Sequence, residues 1–189
     1  EPTPFRARRA SLTRSPSQTK CTATVTTEGV LTCRRPYLTY AVRPVGTGTV
    51  MDAEGVRKSV DAGARFVVSP VVDEVVIEAA TDLGVASMPG THTPTEMLRA
   101  HRAGADLCKL FPAAAGGPVW VRSVLGPMPY LKIVPTNGVD EHNAGEWLRA
   151  GCFAVGFVNP LFVPADIAAG RWDELEARAA RCIEAVQTL

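Results

Sequence analysis

Lys109 stands inside a short apolar run, Leu107-Cys108-Lys109-Leu110-Phe111, closed by Pro112. A run this apolar reads as a buried strand, and a buried ammonium is costly unless it is paired or sheds its proton. Only four lysines (Lys20, Lys58, Lys109, Lys132) occur against sixteen arginines. A lysine amine, unlike a guanidinium, can become a neutral nucleophile, so the choice of residue at 109 points to attack on a carbonyl. The plainer reading is a lysine whose ammonium snorkels from a strand end to water.

The elements around Lys109 decide between these readings. From residue 42 onward one pattern recurs: a short apolar run, a cluster of Gly, Pro, Thr or Ser, then a helical stretch ending in a small-residue turn. The expected strands are Val42 to Thr49, Arg65 to Ser69, Val85 to Met88, Leu107 to Phe111, Lys132 to Pro135 and Phe153 to Phe157. Three of them follow nearly the same phrase, Asp61-Ala-Gly-Ala64, Arg102-Ala-Gly-Ala105 and Arg149-Ala-Gly-Cys152, in which the glycine can end a helix in the left-handed conformation. Apolar strands alternating with amphipathic helices give an α/β fold with a parallel sheet, and the repetition favours a (β/α)8 TIM-type barrel with about six recognisable units. Active sites of such barrels sit at the carboxyl ends of the strands. Those ends here read Gly46-Thr-Gly-Thr49, Ser69-Pro70, Met88-Pro-Gly90, Lys109-Leu-Phe-Pro112, Pro135-Thr-Asn-Gly138 and Gly156-Phe-Val-Asn159, so Lys109 falls on the catalytic rim.

At 189 residues the chain suits one domain. Residues 1–44 carry eight Lys or Arg and two acids, whereas residues 45–189 carry twelve basic and seventeen acidic side chains. The body is therefore mildly acidic and lacks the clustered basic face that nucleic acid requires. No apolar stretch reaches the length of a membrane span. The five cysteines are scattered, without the close pairs of a zinc site, and a reducing compartment follows; Cys108, Cys152 and Cys182 read as small core residues. The segment 1–44 is Arg- and Ser-rich, has no strand or helix period, and is expected to be disordered, transit-like or misjoined ahead of a barrel domain at 45–189. That gives a cytoplasmic protein, or a plastid one if the segment is a transit peptide.

Five motifs carry a family resemblance: Val45-Gly-Thr-Gly-Thr-Val50, Ala62-Gly-Ala-Arg-Phe-Val-Val-Ser-Pro70, Pro89-Gly-Thr-His-Thr-Pro-Thr-Glu96, Lys109-Leu-Phe-Pro-Ala113 and Pro135-Thr-Asn-Gly-Val139. In this order they resemble the class I 2-keto-3-deoxy-6-phosphogluconate (KDPG) and 4-hydroxy-2-oxoglutarate (KHG) aldolases. The resemblance implies a barrel, commonly a homotrimer, in which Lys109 forms a Schiff base with the keto carbon of pyruvate and no metal or cofactor takes part. It further implies that Thr49, Pro70, Phe111 and Thr136 contact the 2-keto acid substrate, and that Asn137, Gly138 and Asn159 hold its phosphate. Thr49 and Thr136 have a plainer reading as helix caps, and Glu96, in capping-box spacing after Thr93, reads as a cap rather than an acid. His92, His101 and His142 make no triad or ligand spacing and read as surface residues.

Two departures stand beside the resemblance. The family's acid/base glutamate, within a Glu-Val-Thr stretch, has no counterpart, and the barrel reads as N-terminally incomplete. Asn137 stands where the family usually has glycine, and Val158-Asn159 where it usually has Gly-Ser. The leading expectation is a lyase cleaving KDPG or KHG to pyruvate and an aldehyde. The alternative is a catalytically impaired, truncated barrel that binds phosphorylated ligands or aldolase subunits, and a phosphosugar isomerase is a third reading.

Overall fold

The computed structural model describes residues 45–113 and 116–187; the segment expected at 1–44 lies outside them. The elements alternate: α1 (Ala53–Asp61), β1 (Phe66–Ser69), α2 (Glu74–Asp82), β2 (Ala86–Thr91), α3 (Pro94–Arg102), β3 (Cys108–Leu110), α4 (Gly117–Leu125), β4 (Ile133–Pro135), α5 (Ala144–Arg149), α6 (Pro164–Ala168) and α7 (Trp172–Gln187). β1 to β4 form one parallel sheet in sequence order. Single parallel bridges, Thr47 to Val67 on one side and Thr136 to Gly156 on the other, extend it to an arc of six strand positions. Every neighbour in the arc is the next unit along the chain, as in a (β/α)8 barrel.

Local chemistry explains the boundaries. Asp52 and Asp73 cap α1 and α2 by accepting from the N–H of Gly55 and Val75. Thr93 and Glu96 form the expected capping box at α3. Gly63, Gly104 and Gly151 take φ near +100°, which turns each preceding helix into the next strand.

Three expected strands shift. The stretch Val42 to Thr49 is described only from residue 45, where it makes isolated bridges at Val45 and Thr47 rather than a named strand. β2 runs on through Pro89 and Gly90 to Thr91, beyond the expected end at Met88. Among the described residues, Phe153 to Phe157 joins the sheet through its bridge at Gly156 and through the N–H groups of Phe153 and Gly156, which donate to Ile133 and Pro135.

The sheet separates two apolar layers. Phe66, Val68, Met88, Val134 and Ala154 pack together on its inner face, joined by Ala86, Leu107 and Phe153. Cys108, Leu110, Ile133 and Phe157 form the main core on the other face with residues of the helices, including Met97, Val121 and Trp147. Cys108, Cys152 and Cys182 are all buried, as expected of small core residues. Among the described residues no helix is long and apolar enough to cross a membrane.

Candidate active site

Strand alternation aims Lys109 inward. Cys108 and Leu110 are buried in the helix-side core, while Leu107, two residues before the lysine, packs with the inner cluster. Side chains two apart in a strand share a face, so Lys109 lies on the inner face with Leu107 and Val134. Its Nζ sits 4.4 Å from the centre of the Phe111 ring. Burial holds the amine below the ordinary lysine pKa, because the apolar surroundings penalise its charged form. Phe111 itself is 40% exposed, so its ring stands between the amine and the open rim.

The backbone around the lysine is fixed from both sides. Gly90 of β2 pairs with Lys109, and so does Val134 of β4. Thr91 Oγ1 donates to the Lys109 carbonyl at 3.0 Å. A side chain on Gly90 has no room, since a Cβ there would lie 2.1 Å from the Pro70 carbonyl oxygen. Pro70 therefore presses against the strand position beside the lysine. The N–H of Ala113 donates to the carbonyls of Thr136 and Asn137, which ties the loop after β3 to the loop after β4.

That second loop brings together three more expected residues. The Thr136 N–H donates to the Leu110 carbonyl at 3.0 Å, and the side chain lies two residues beyond Val134 of the inner cluster. Thr136 is fully buried and its Oγ1 has no hydrogen-bond partner. Asn137 and Gly138 follow with φ of +56° and +108°. Asn159 Nδ2 donates to Asn137 Oδ1 at 3.3 Å, and Asn143 Nδ2 donates to the Gly138 carbonyl at 2.9 Å. Neither threonine is a cap: α1 starts from Asp52 and α5 from Asn143.

Thr49 reaches the same rim but on the edge segment, with β1 and β2 between it and β3. Its φ of +60° is unusual for a β-branched residue, and such strain concentrates at functional sites. His101 and His142 are exposed as expected, but His92 is not a plain surface residue. It is half-buried at the end of β2, its ring is stacked on Trp120 at 6.5 Å, and its Nδ1 is buried without a partner. Sequence reasoning put Gly90 at a strand end on the rim but gave neither it nor Thr91 a part in holding the lysine. The Glu96 carboxylate accepts from the His92 and Thr93 N–H groups and from Thr93 Oγ1, which holds its pKa below the usual carboxylate value and marks it as a cap.

A cleft of about 600 Å³ lies elsewhere, between α2 and α3, lined by Glu74, Glu78, Asp82, Arg99 and Arg102 among others. It contains none of the rim residues. No group of His, Cys, Asp and Glu that could hold a metal ion occurs among the described residues.

The family model for KDPG and KHG aldolase matches residues 24–178. A probable 2-dehydro-3-deoxy-6-phosphogalactonate aldolase of Rhizobium meliloti (strain 1021) is 37% identical over 121 residues, covering 64% of this chain and 57% of that protein. The chain thus spans about three fifths of the length of the curated relatives it matches. Among solved structures, native KDPGal superposes with a TM-score of 0.72 at 28% identity, covering 77% of this chain and 69% of that one. The KDPG aldolase of Legionella pneumophila, with pyruvate captured as a covalent carbinolamine, gives a TM-score of 0.67 at 27% identity over 76% of this chain and 69% of that one.

Proposed function

We infer that this chain, which belongs to the KDPG and KHG aldolase family, cleaves a 4-hydroxy-2-oxo acid to pyruvate and an aldehyde through an imine on Lys109. The observation that carries this reading is a lysine amine on the inner face of the barrel, walled by Phe111 and held below its ordinary pKa by burial.

The chemistry follows from that amine. In its neutral form it attacks the C2 carbonyl, and loss of water from the carbinolamine leaves a protonated imine. The iminium draws in the electron pair of the C3–C4 bond while the 4-hydroxyl gives its proton to a base. The aldehyde departs, the enamine takes a proton at C3, and water releases pyruvate and the free amine. The iminium does the polarising that a bound metal does in other enzymes.

Thr49, Pro70, Phe111 and Thr136 surround the acid's reacting end in this reading. Its far end, the end that bears phosphate in the substrate for which the Rhizobium relative is named, falls against Asn137, Gly138 and Asn159. The assembly is a homotrimer, a reading supported by the apolar side chains that Met51, Val71, Val75 and Val119 leave exposed near the rim. A reducing, cytoplasmic setting is supported by Cys108 and Cys182, which are buried as thiols outside any disulfide.

Borohydride reduction with pyruvate tests the reaction. A reduced pyruvate adduct is expected on the Lys109 peptide by mass spectrometry. No adduct, or one confined to Lys132, overturns the reading.

A further inference from the structure

His92 follows Thr91, the last residue of β2. Gly90 pairs with Lys109 and Thr91 with Leu110, so the next positions, His92 and Phe111, continue that register, and the Phe111 N–H donates to the Thr91 carbonyl at 3.0 Å. The backbone N–H groups of His92 and Thr93 both donate to the Glu96 carboxylate, at 2.8 and 2.7 Å. The imidazole is therefore carried on a backbone held in place, and it stacks on the Trp120 indole with ring centres 6.5 Å apart and planes 22° from parallel.

Trp120 lies in the first turn of α4, the helix that follows the lysine's strand. A Cβ on Gly116 would lie 2.8 Å from the Cβ of Trp120, and Gly116 takes φ of +75°, so glycine is what lets the indole stand there. The indole also packs against the main core. Both ends of the stretch from Phe111 to Trp120 are thus tied to the same end of β2, one by a backbone hydrogen bond and the other by stacked rings.

Phe111 needs such ties. Its ring stands 4.4 Å from Lys109 Nζ, yet it is exposed, so burial does not fix it. Were the ring to swing away, water would reach the amine and restore the charged form that burial now penalises. What His92 brings to the tie is a flat ring rather than a polar group. Its Nδ1 is buried without a hydrogen-bond partner among the described residues, and an atom left so costs stability that a carbon in its place would not.

We propose that His92 and Trp120 are positioning residues for the lysine: their stacked rings hold Phe111 against Lys109 Nζ and so keep the amine out of water. The inference rests on the imine reading above and adds to it the residues that keep the amine neutral.

The test follows the rate of pyruvate trapping on Lys109 of the full chain from pH 6 upward, by short borohydride pulses and mass spectrometry. His92→Ala should slow trapping about tenfold at pH 7, with the deficit closing as the pH approaches 10.5, the ordinary lysine value, where a wetted amine is stripped of its proton again. Trp120→Ala should give the same profile, and His92→Phe, which keeps a flat ring and drops the unpartnered nitrogen, should restore that of the wild type. Profiles unmoved in both alanine variants overturn the inference, as does a loss equal at every pH, the mark of a fold that is merely weakened. A loss in His92→Phe as large as in His92→Ala also overturns it, since the nitrogen and not the stacked ring would then be what acts. Should Trp120→Ala fail to fold, the half-buried His92 decides alone through its two variants. Absence of any adduct in the wild type sinks the imine reading and this inference with it, whereas adducts whose pH profiles superpose sink only the positioning role.

Discussion

Replacing Gly90 by alanine tests whether β2 positions the amine. The added methyl would lie 2.1 Å from the Pro70 carbonyl oxygen and 2.5 Å from its carbon, where ordinary contact begins near 3.4 Å. Neither obstacle is the movable end of a side chain, so the two backbones must part by more than about 1 Å. Overpacking of this kind costs about 1–3 kcal/mol, which for a chain of this size lowers Tm by about 2–12 °C. The displaced strand pairs directly with Lys109, and a misplacement of about 1 Å at a reacting group can cost about 10²-fold in rate. Calorimetry and kcat/KM read the two effects. Gly63→Ala is the control: its Cβ would meet nothing within 4 Å, but φ is +97° on an exposed turn. That substitution should cost about 1–2 kcal/mol of left-handed strain and leave kcat/KM unaltered. A Gly90→Ala enzyme with wild-type kcat/KM would refute the idea that β2 sets the position of the lysine.

Lys109→Met should abolish pyruvate trapping and also stabilise the fold at neutral pH. Burial lowers the lysine's pKa in the folded chain, so between that value and about 10.4 the unfolded chain binds the extra proton and wild-type stability rises with pH. The advantage of methionine should therefore be largest near neutrality and vanish as the pH approaches 10.4, as read from denaturant midpoints at several pH values; a constant difference would rule out a desolvated amine. Thr93→Ala removes the α3 capping box and should cost about 1 kcal/mol at pH 7. Because hydrogen bonds hold Glu96 below its ordinary 4.5, its contribution is present above that value and lost as pH falls through the lower folded one. Thermal unfolding between pH 7 and 3 should accordingly show a gap between the two proteins that narrows on acidification.

The reacting centre was legible because it depends on short-range pattern. One polar residue in the apolar stretch from Leu107 to Phe111 must face either the helices or the barrel interior, and the burial of Cys108 and Leu110 among helices leaves the interior for Lys109. The turn glycines were legible for the same reason, since each follows its own helix. What escaped depends on contacts distant in sequence. Met88-Pro-Gly90 carries turn residues, yet Gly90 is required by Pro70 across the sheet rather than by a turn. Phe153 to Phe157 has the composition of a strand, but among the described residues it is joined to β4 by a bridge to Thr136 and by hydrogen bonds at Phe153 and Gly156. His92 looks exposed beside polar neighbours, and only the arrival of Trp120 from α4 covers its ring.

This division separates reaction from selectivity. The amine is placed by β2, β3 and β4, whose pairing fixes Lys109 between Gly90 and Val134. The corner that would meet the far end of a substrate is placed by loops, through a contact between residues 137 and 159 just beyond the Thr136–Gly156 bridge. A change at either asparagine leaves the ladder under Lys109 untouched, because neither residue takes part in it. Imine formation with pyruvate and choice of the aldehyde end are therefore expected to vary independently: substitutions in the ladder should alter trapping, while substitutions at the corner should alter the ratio of kcat/KM between two acids. A corner substitution that abolished trapping of pyruvate, which is too short to reach the far end, would show that loops and ladder form one cooperative unit instead.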